Sequence, residues 1–568
     1  MLRITSAQIN PTIGDITGNI ALMLKAARQA RDEHAHMVVF PELSLTAYYP
    51  GDLLDDTNFQ SRLEQCLAHL MQATRETPNL LWLVGAPTRR TGVGKPYHNS
   101  ILVIKNGELV MQYDKQLLPT YNIFDERRHF EPGPDVARVL RVAGLQVGLM
   151  VCEDGWNDDG HDYAVNPFQR LADAAPDLIV SINASPSNVG KREERHAVFS
   201  QACARHGVPL LYVNQVGGHD QLVYDGASFA VDAQGSIVYE AQRFQPDVVT
   251  LEFDAASGQF TQGAKALPPV PMLGLVTPEF YRQQLVLGTR DYARRCGFTK
   301  AVVGCSGGVD SALTLVLAVQ AMGAENVVAI TMPSQYSSAG SVSDSEVLCR
   351  NLGIALLQHP IGALVEGYKT AFLAATGQPL QGLALENVQA RIRGTILMEY
   401  SNSFGHLLLT TGNKSEISVS YCTLYGDTNG GLGLLGDLYK TEVFELSRHI
   451  NAQAGQGLIP WAIIDKPPSA ELAPDQQDTD SLPPYEVLDE ILKNLIEGSR
   501  LPLWEQVRAQ AALADLQDTA EGAALIVRVQ KMVARSEYKR RQSPPVLRVR
   551  GRAFGSGRQM PIAAVHYV

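Results

Sequence analysis

Three polar residues in the first half of the chain are arranged like parts of one reaction. Glu42 follows the apolar run Val38-Val39-Phe40 and Pro41. Lys115 closes Gln112-Tyr113-Asp114-Lys115. Cys152 follows Gly148-Leu149-Met150-Val151 and precedes Glu153-Asp154. Each stands at the end of a stretch that reads as a strand, and strand ends hold side chains rigidly at one rim of a sheet. A free thiol is only a few per cent thiolate at neutral pH, so a nucleophilic cysteine needs a base. Glu42 offers a carboxylate for that proton. Lys115 offers a cation for the thiolate and for a tetrahedral oxyanion, and one well-placed oxyanion donor is worth about 3 kcal/mol. Taken singly, each residue has a plainer reading: a small core cysteine, a loop glutamate, a surface lysine. Their order and their flanking sequences favour the chemical one.

The second half carries a different chemistry. Gly304-Cys305-Ser306-Gly307-Gly308-Val309-Asp310-Ser311 follows the apolar run Ala301-Val302-Val303 and precedes a helix-like run from Ala312 to Ala321. Strand, glycine turn and helix together aim backbone N–H groups at an anion. Small residues let the backbone approach closely, and the helix start adds a partial positive charge. The lysine of a G-x-x-x-x-G-K-[ST] loop is missing. A plain turn needs neither both hydroxyls nor the carboxylate of Asp310.

The elements that must position these residues fall into two groups. Short apolar strands recur before residue 262: Leu2 to Ile9, Met37 to Phe40, Leu80 to Ala86, Ser100 to Lys105, Gln146 to Cys152, Leu178 to Asn183 and Pro209 to Asn214. A helical pattern over Asn19 to Glu33 separates two of them. Gln262 to Pro271 ends in three prolines within four positions, which makes a stiff, extended connector. Residues 1–262 are therefore expected to form one domain, 263–276 a linker and 277–568 a second domain. After the connector, Ala301 to Gly304, Val327 to Met332, Ala355 to His359 and His406 to Thr411 read as buried parallel strands between helices, as in a doubly wound sheet. The tail from Tyr485 reads as helical and then irregular. Its basic residues Lys539, Arg540, Arg541, Arg548, Arg550 and Arg552 read as a solvated face.

Composition narrows the function classes. At 568 residues the chain is too long for one core. Hydrophobic content of 45% and charged content of 19% describe an ordinary soluble globular protein. A net charge of −11 and a pI near 5.7 argue against nucleic acid as the main partner. No apolar run reaches the roughly 18 residues of a membrane span, and the N-terminal residues lack a secretory pattern. Seven scattered cysteines make neither a disulfide framework nor a zinc pattern. A reducing cytoplasm is the expected home.

Phe40-Pro41-Glu42-Leu43, Tyr113-Asp114-Lys115 and Val151-Cys152-Glu153-Asp154 together resemble the nitrilase superfamily, from residue 1 to about residue 260. The resemblance implies a four-layer α-β-β-α sandwich with Glu42 as base, Lys115 as support for thiolate and oxyanion, and Cys152 as nucleophile. Glu126 would be the second glutamate that often orders such sites. A closer resemblance, to the glutaminase domains of glutamine-dependent NAD synthetases, implies that Tyr121, Ser185 and Lys191 contact glutamine. Asn214-Gln215-Val216-Gly217-Gly218 is also typical of that family. Gln221 departs from it, since an acidic residue is common there.

The glycine loop resembles the S-G-G-x-D-S loop of ATP pyrophosphatases, which adenylate their substrates. Met332 to Ser338, Thr410 to Glu416, Tyr425 to Asp427, Gly436 to Glu442 and Lys466 to Leu472 follow in one order. Together they resemble the NAD synthetase domain over roughly residues 275 to 545. That resemblance implies a Rossmann-like doubly wound sheet, with Gly304 to Ser311 and Thr411 contacting ATP. Asn387, Glu416 and Lys539 would contact deamido-NAD. A Mg²⁺ ion between phosphates takes hard oxygen ligands, for which Asp310 and Glu416 are the carboxylates. The expected reaction adenylates deamido-NAD, releases pyrophosphate, and displaces AMP with ammonia from glutamine. A homo-oligomer built on synthetase-domain dimers is also implied.

Rival readings fit less well. Asparagine synthetases use an N-terminal cysteine, and this chain starts Met1-Leu2. GMP synthetases carry another type of glutaminase. An amidase fused to an unrelated ATP enzyme would hydrolyse glutamine regardless of ATP. A regulatory nucleotide-binding protein with dead sites would not keep Cys152, Asp310 and Glu416.

Overall fold

The computed structural model of the chain describes residues 1–263, 266–474, 476–555 and 557–565. Residues 264 and 265 of the expected linker, and 475, 556 and 566–568 of the expected second domain, lie outside them. The chain divides into two compact units. One holds Met1–His219 and Val223–Gly274, the other Asp220–Leu222 and Leu275–Val568.

In the first unit, β1 (Leu2–Gln8), α1 (Ile16–Asp32), β2 (Met37–Val39), α2 (Thr57–Thr74), β3 (Leu81–Arg89), β4 (Tyr97–Lys105) and β5 (Glu108–Asp114) come first. Then come β6 (Val139–Val142), β7 (Leu145–Val151), α3 (Pro167–Asp173), β8 (Leu178–Asn183), α4 (Lys191–His206) and β9 (Leu210–Asn214). The hairpin β10 (Val216–His219) and β11 (Leu222–Asp225) precedes β12 (Phe229–Val231), β13 (Ile237–Glu240), β14 (Asp247–Asp254) and β15 (Gln259–Thr261). Two large sheets result, in the orders β15-β14-β1-β2-β3-β4-β5 and β13-β12-β9-β8-β7-β6. The central pairs β1–β2, β2–β3, β7–β8 and β8–β9 are parallel.

The period of two along β7 sets the layers. Val147, Leu149 and Val151 point into a core shared with Leu2, Ile4, Val39, Leu83 and Ile101 of the other sheet. Met150 points the other way, against Phe168 of α3 and Phe199 and Ala202 of α4. Helices α1 and α2 pack on the first sheet. The result is the expected α-β-β-α sandwich.

The second unit begins with α5 (Thr277–Arg295), β16 (Ala301–Gly304), α6 (Val309–Met322), β17 (Val327–Thr331), α7 (Ala339–Leu352), β18 (Ala355–Gln358), α8 (Gly362–Thr376) and α9 (Leu383–Phe404). It continues with β19 (Leu407–Thr410), α10 (Lys414–Val419), β20 (Leu432–Gly433), α11 (Lys440–Ala454) and α12 (Trp461–Asp465). Helices α13 (Tyr485–Ile496), α14 (Leu503–Gln517), α15 (Ala520–Arg535) and α16 (Glu537–Arg540) follow. Its sheet runs β18-β17-β16-β19-β20, with every pair parallel. The strand order reverses between β16 and β19, so a crevice opens beyond their carboxyl ends. β18 departs from expectation. It is an edge strand with Ala355, Leu357 and Gln358 exposed, because nothing in this unit pairs with or covers its outer side among the described residues.

The basic tail is also corrected. Arg550 is fully buried, and Arg540 and Arg548 are buried too. The Arg550 guanidinium meets Glu442, Glu505 and Glu497, the last at 2.8 Å, and the Tyr281 hydroxyl at 2.8 Å. Lys414 joins the same cluster through Glu497 at 3.1 Å and Asp437 at 2.8 Å. The acidic partners come from α11, the end of α13, α14 and the segment before α11. Their scatter along the chain hides the pairing from any reading of local charge.

Candidate active sites

Lys115 is the centre of the first cluster. Its ammonium donates to Glu42 Oε1 at 2.7 Å and to Glu126 Oε1 at 2.6 Å, and all three side chains are buried. Glu42 also accepts the Asn99 amide at 2.7 Å on Oε1 and the Ala184 N–H at 3.0 Å on Oε2. The Glu42 backbone can lie this close to β3 because position 85 is glycine. A Cβ there would stand 2.3 Å from the Leu43 nitrogen. Tyr48 donates its hydroxyl to Glu126 at 2.7 Å. Burial opposes the charge on Lys115, yet Glu126, Glu42 and the Cys152 sulfur hold its ammonium well above the usual lysine range. Burial pushes the Glu126 carboxyl up against the pull of Lys115.

Cys152 begins a single 3-10 turn, Cys152–Gly155, directly after β7. Its φ of 42° lies in the left-handed region, a conformation non-glycine residues hold only where surrounding structure enforces it. Asp154 supplies that enforcement. It accepts the N–H groups of Gln116 at 2.9 Å and Leu117 at 2.8 Å, and the Tyr113 hydroxyl at 2.7 Å. The turn that bears the thiol is thus tied to the strand end that bears Lys115. Burial raises the Asp154 carboxyl to about 6. Burial and the Glu42 carboxylate push the Cys152 thiol up, while Lys115 pulls it down.

The second cluster sits at the reversal of the parallel sheet. A cavity of about 300 Å³ is lined by Gly304, Cys305, Ser306, Gly308, Val309, Asp310 and Ser311 after β16, and by Thr411 and Glu416 after β19. Gly307 has a φ of 81°, and a Cβ there would lie 2.5 Å from the Ser341 carbonyl oxygen of α7. Only glycine fits both demands. Ser311 Oγ donates to the Gly308 carbonyl at 3.0 Å, closing the loop onto the start of α6. Asp310 accepts the Asn413 amide at 2.8 Å and the Lys440 ammonium at 2.5 Å. Lys440 also reaches Glu416 at 3.1 Å. Burial pushes the Glu416 carboxyl up, and Asp310 adds to the push against the pull of Lys440.

The chain matches the family described as carbon-nitrogen hydrolase over residues 3–262 and that described as NAD synthase over residues 281–543. A glutamine-dependent NAD(+) synthetase of Synechocystis is 44% identical over 99% of both chains. The chain belongs to the glutamine-dependent NAD(+) synthetase family. A second relative of that name, from Acinetobacter baylyi, is 38% identical over 99% of this chain and 98% of its own. The solved glutamine-dependent NAD+ synthetase of Acinetobacter baumannii, in complex with adenosine diphosphate, superposes with a TM-score of 0.76 at 35% identity. It covers 99% of this chain and 98% of its own. The solved synthetase of Cytophaga hutchinsonii, at 19% identity and a TM-score of 0.81, shares the fold. The chain is accordingly an enzyme, a carbon–nitrogen ligase.

Against the synthetase family, the remaining expected residues fall as follows. Tyr121 donates to Glu153 at 3.0 Å, and Glu153 also accepts Tyr163 at 2.8 Å, so the residue next to Cys152 is held by two phenols. Lys191 opens α4 with its ammonium 3.8 Å over the Trp156 ring, four residues beyond Cys152. Ser185 is buried, and its N–H donates to Asn214 at 2.9 Å. Asn387 and Lys539 do not line the second cavity. They converge instead on residues 420–423: Asn387 accepts the Thr423 hydroxyl at 2.8 Å, and Lys539 donates to the Cys422 carbonyl at 2.8 Å.

Sequence reasoning gave no role to Asn99, Asp154, Arg393, Lys440 or Lys466. Asp154 lies in the motif Val151-Cys152-Glu153-Asp154 and Lys440 in the motif Gly436 to Glu442. Arg393 lines the cavity and donates to the Met332 carbonyl at 3.1 Å. Lys466 reaches Glu471 at 2.7 Å and Ser341 at 2.5 Å at the cavity wall. For a divalent cation, Asp310 and Glu416 are hard oxygen donors that already share one cationic group, Lys440. The pair fits an ion whose other ligands are phosphate oxygens. Among the described residues, no helix is long and apolar enough to cross a membrane.

Proposed function

We propose that this chain amidates deamido-NAD to NAD, with ATP as the activating substrate and glutamine as the nitrogen source. Residues 1–262 would be the glutamine amidohydrolase, 263–276 the linker and 277–568 the adenylating synthetase. The observation that carries the reading is the pairing, on one chain, of a Lys115-centred carboxylate cluster beside Cys152 with a glycine-lined cavity at a parallel-sheet reversal.

In the first half, glutamine lies against Tyr121, Ser185 and Lys191. Cys152 gives its proton to Glu42 and attacks the side-chain amide carbon. Lys115 stabilises the oxyanion, a role worth about 3 kcal/mol for one good donor. The C–N bond breaks, the nitrogen takes the proton from Glu42, and ammonia leaves a γ-glutamyl thioester. Water then hydrolyses the thioester to glutamate and the free thiol.

In the second half, Gly304, Cys305, Ser306, Gly307, Gly308, Val309, Asp310, Ser311 and Thr411 hold ATP. Backbone N–H groups at the start of α6 face its phosphates. Asn387, Glu416 and Lys539 hold deamido-NAD. Bound Mg²⁺, held by Asp310 and Glu416, would supply charge neutralisation on the phosphates. The nicotinate carboxylate attacks the α-phosphorus, pyrophosphate leaves, and ammonia displaces AMP from the acyl adenylate. Adenylation is needed because a free carboxylate resists nucleophilic attack.

A homo-oligomer is supported by α8, none of whose residues is buried. Tyr368 is 56% exposed and Leu373 51% exposed, with Leu364 and Phe372 beside them. A second copy of the synthetase half is the occupant we infer, and the mass in solution tests it. The free cysteines fit a reducing cytoplasm.

The test of the main reading is product analysis with ATP, Mg²⁺, deamido-NAD and glutamine labelled at the amide nitrogen. Labelled NAD, AMP, pyrophosphate and glutamate in equal amounts are expected. Glutamate release without NAD, or release unaffected by ATP and deamido-NAD, overturns it.

A further inference from the structure

Asp478 is a carboxylate of the second cavity's wall that the reaction above leaves unused. It opens the single 3-10 turn Asp478–Asp480 ahead of α13. It lines the cavity, yet the residue is only 4% exposed. Its Oδ2 accepts the Tyr485 hydroxyl at 2.8 Å. Its Oδ1 is shut off from solvent, and among the described residues no donor stands in hydrogen-bonding position to it. A buried carboxylate oxygen without a donor is costly, which points to a partner that arrives with the substrates.

The carboxylate is fixed through both its backbone and its side chain. The Asp478 N–H donates to the Pro468 carbonyl at 3.1 Å, which closes the wall segment between them. Ser469 ties the same segment by donating to the Gln476 carbonyl. Tyr485, which holds Oδ2, is the first residue of α13, and the Lys440 ammonium lies 5.3 Å over the centre of its ring. Lys440 in turn bridges Asp310 and Glu416. Asp478 therefore stands one aromatic ring away from the charged centre of the cavity. A group held this firmly, with one oxygen left over, is arranged to act on something.

Two other ligands fit this oxygen less well. A divalent cation shared with Asp310 and Glu416 needs all three carboxylates close together. Among the described residues they form no such group. A ribose diol offers two hydroxyls, and Oδ2 is already taken by Tyr485. One free, charged acceptor suits a single N–H donor, and ammonia is the one such donor that the amidation must bring to this cavity.

We propose that Asp478 receives the ammonia and takes its surplus proton as the amide forms. The proposal rests on the reading above, in which an acyl adenylate of deamido-NAD forms in this cavity. Ammonia donates one N–H to Oδ1, which leaves its lone pair free for the acyl carbon. The C–N bond forms and the nitrogen becomes cationic. Oδ1 takes one proton from it, the acyl C–O bond breaks with its electron pair, and AMP leaves. The products are the amide, AMP and a protonated Asp478, which returns its proton to water.

The test uses full-length Asp478→Asn and Tyr485→Phe chains beside the parent. Asparagine keeps the shape and still accepts from Tyr485 through its carbonyl oxygen, but it takes up no proton. Two reactions are compared. Exchange of labelled pyrophosphate into ATP, with deamido-NAD and no nitrogen source, reads adenylation. NAD synthesis from saturating ammonium reads the amide step and keeps Cys152 out of the result. In Asp478→Asn the exchange should stay within about twofold while synthesis falls about a hundredfold or more. Tyr485→Phe keeps the carboxylate and removes one bond to it, so synthesis should fall by about tenfold or less. Unchanged synthesis in Asp478→Asn, or exchange that falls in step with synthesis, overturns the role. Synthesis by the parent chain without deamido-NAD-dependent exchange overturns instead the adenylation on which the role rests.

Discussion

Tyr113 donates its hydroxyl to Asp154 at 2.7 Å, and each stands two residues from a member of the proposed triad, Tyr113 before Lys115 and Asp154 after Cys152. This one bond, with the two N–H groups that Asp154 also accepts, ties two strand ends of different sheets together. Asp154→Ala would leave buried donors unpaired at a cost of about 1–3 kcal/mol each. A fall in thermal midpoint and a loss of glutamine-supported synthesis are expected together. Tyr113→Phe removes one bond only and should cost about 1 kcal/mol. Unchanged glutamine kinetics in Asp154→Ala would show that the tie has no part in positioning.

Cys152→Ala should lower glutamine-supported NAD synthesis by about a thousandfold or more, while ammonium-supported synthesis stays within about twofold. Asp310→Ala should impair both. Steady-state rates with each nitrogen source separate the two sites. A Cys152→Ala enzyme fully active with glutamine would remove the triad assignment.

The resting Cys152 thiol is held up by burial and Glu42. A raised thiol gives up its proton only at higher pH, so alkylation by iodoacetamide should keep rising through about pH 8.5, the midpoint of a free thiol. Lys115→Met removes the one group that pulls the thiol down and should slow alkylation further. A plateau below neutral pH would contradict this ordering of charges.

Lys440 neutralises Asp310 and Glu416 together. In Lys440→Met the two carboxylates face each other without a cation. ATP-dependent synthesis should fall about a hundredfold with either nitrogen source. Far-ultraviolet circular dichroism should be unchanged, which separates lost chemistry from lost fold.

Arg550 holds three carboxylates in a dry interior. Arg550→Met should destabilise the synthetase half by about 3–5 kcal/mol, read from its denaturant midpoint. Burial works against the Glu497 charge, but Arg550 and Lys414 hold its carboxyl down at about 2. A depressed carboxyl stabilises the fold above its unfolded pKa, roughly 4.3, and loses that contribution as pH falls through about 2. Acid unfolding of Arg550→Met should therefore begin at a higher pH than in the parent chain.

Local patterns determined much of this protein on their own. The period of two in Val147-Gly148-Leu149-Met150-Val151 specifies a strand with one face toward each layer. The glycines and Asp310 after Val303 specify a strand-to-helix turn open to an anion. These features are set by neighbours within a few residues, so a linear reading reaches them. The tertiary structure alone decided which distant groups share a charge. Arg550 looked solvated because its partners Glu442, Glu497 and Glu505 lie 108, 53 and 45 positions away. Ala355 to His359 reads as a buried strand because apolar residues cannot say whether their strand is central or at an edge. The partners of Lys440 and Asp154 likewise lie far along the chain, at Asp310 and at Tyr113. Electrostatic pairing in a low-dielectric interior depends on distances that only the closed fold defines.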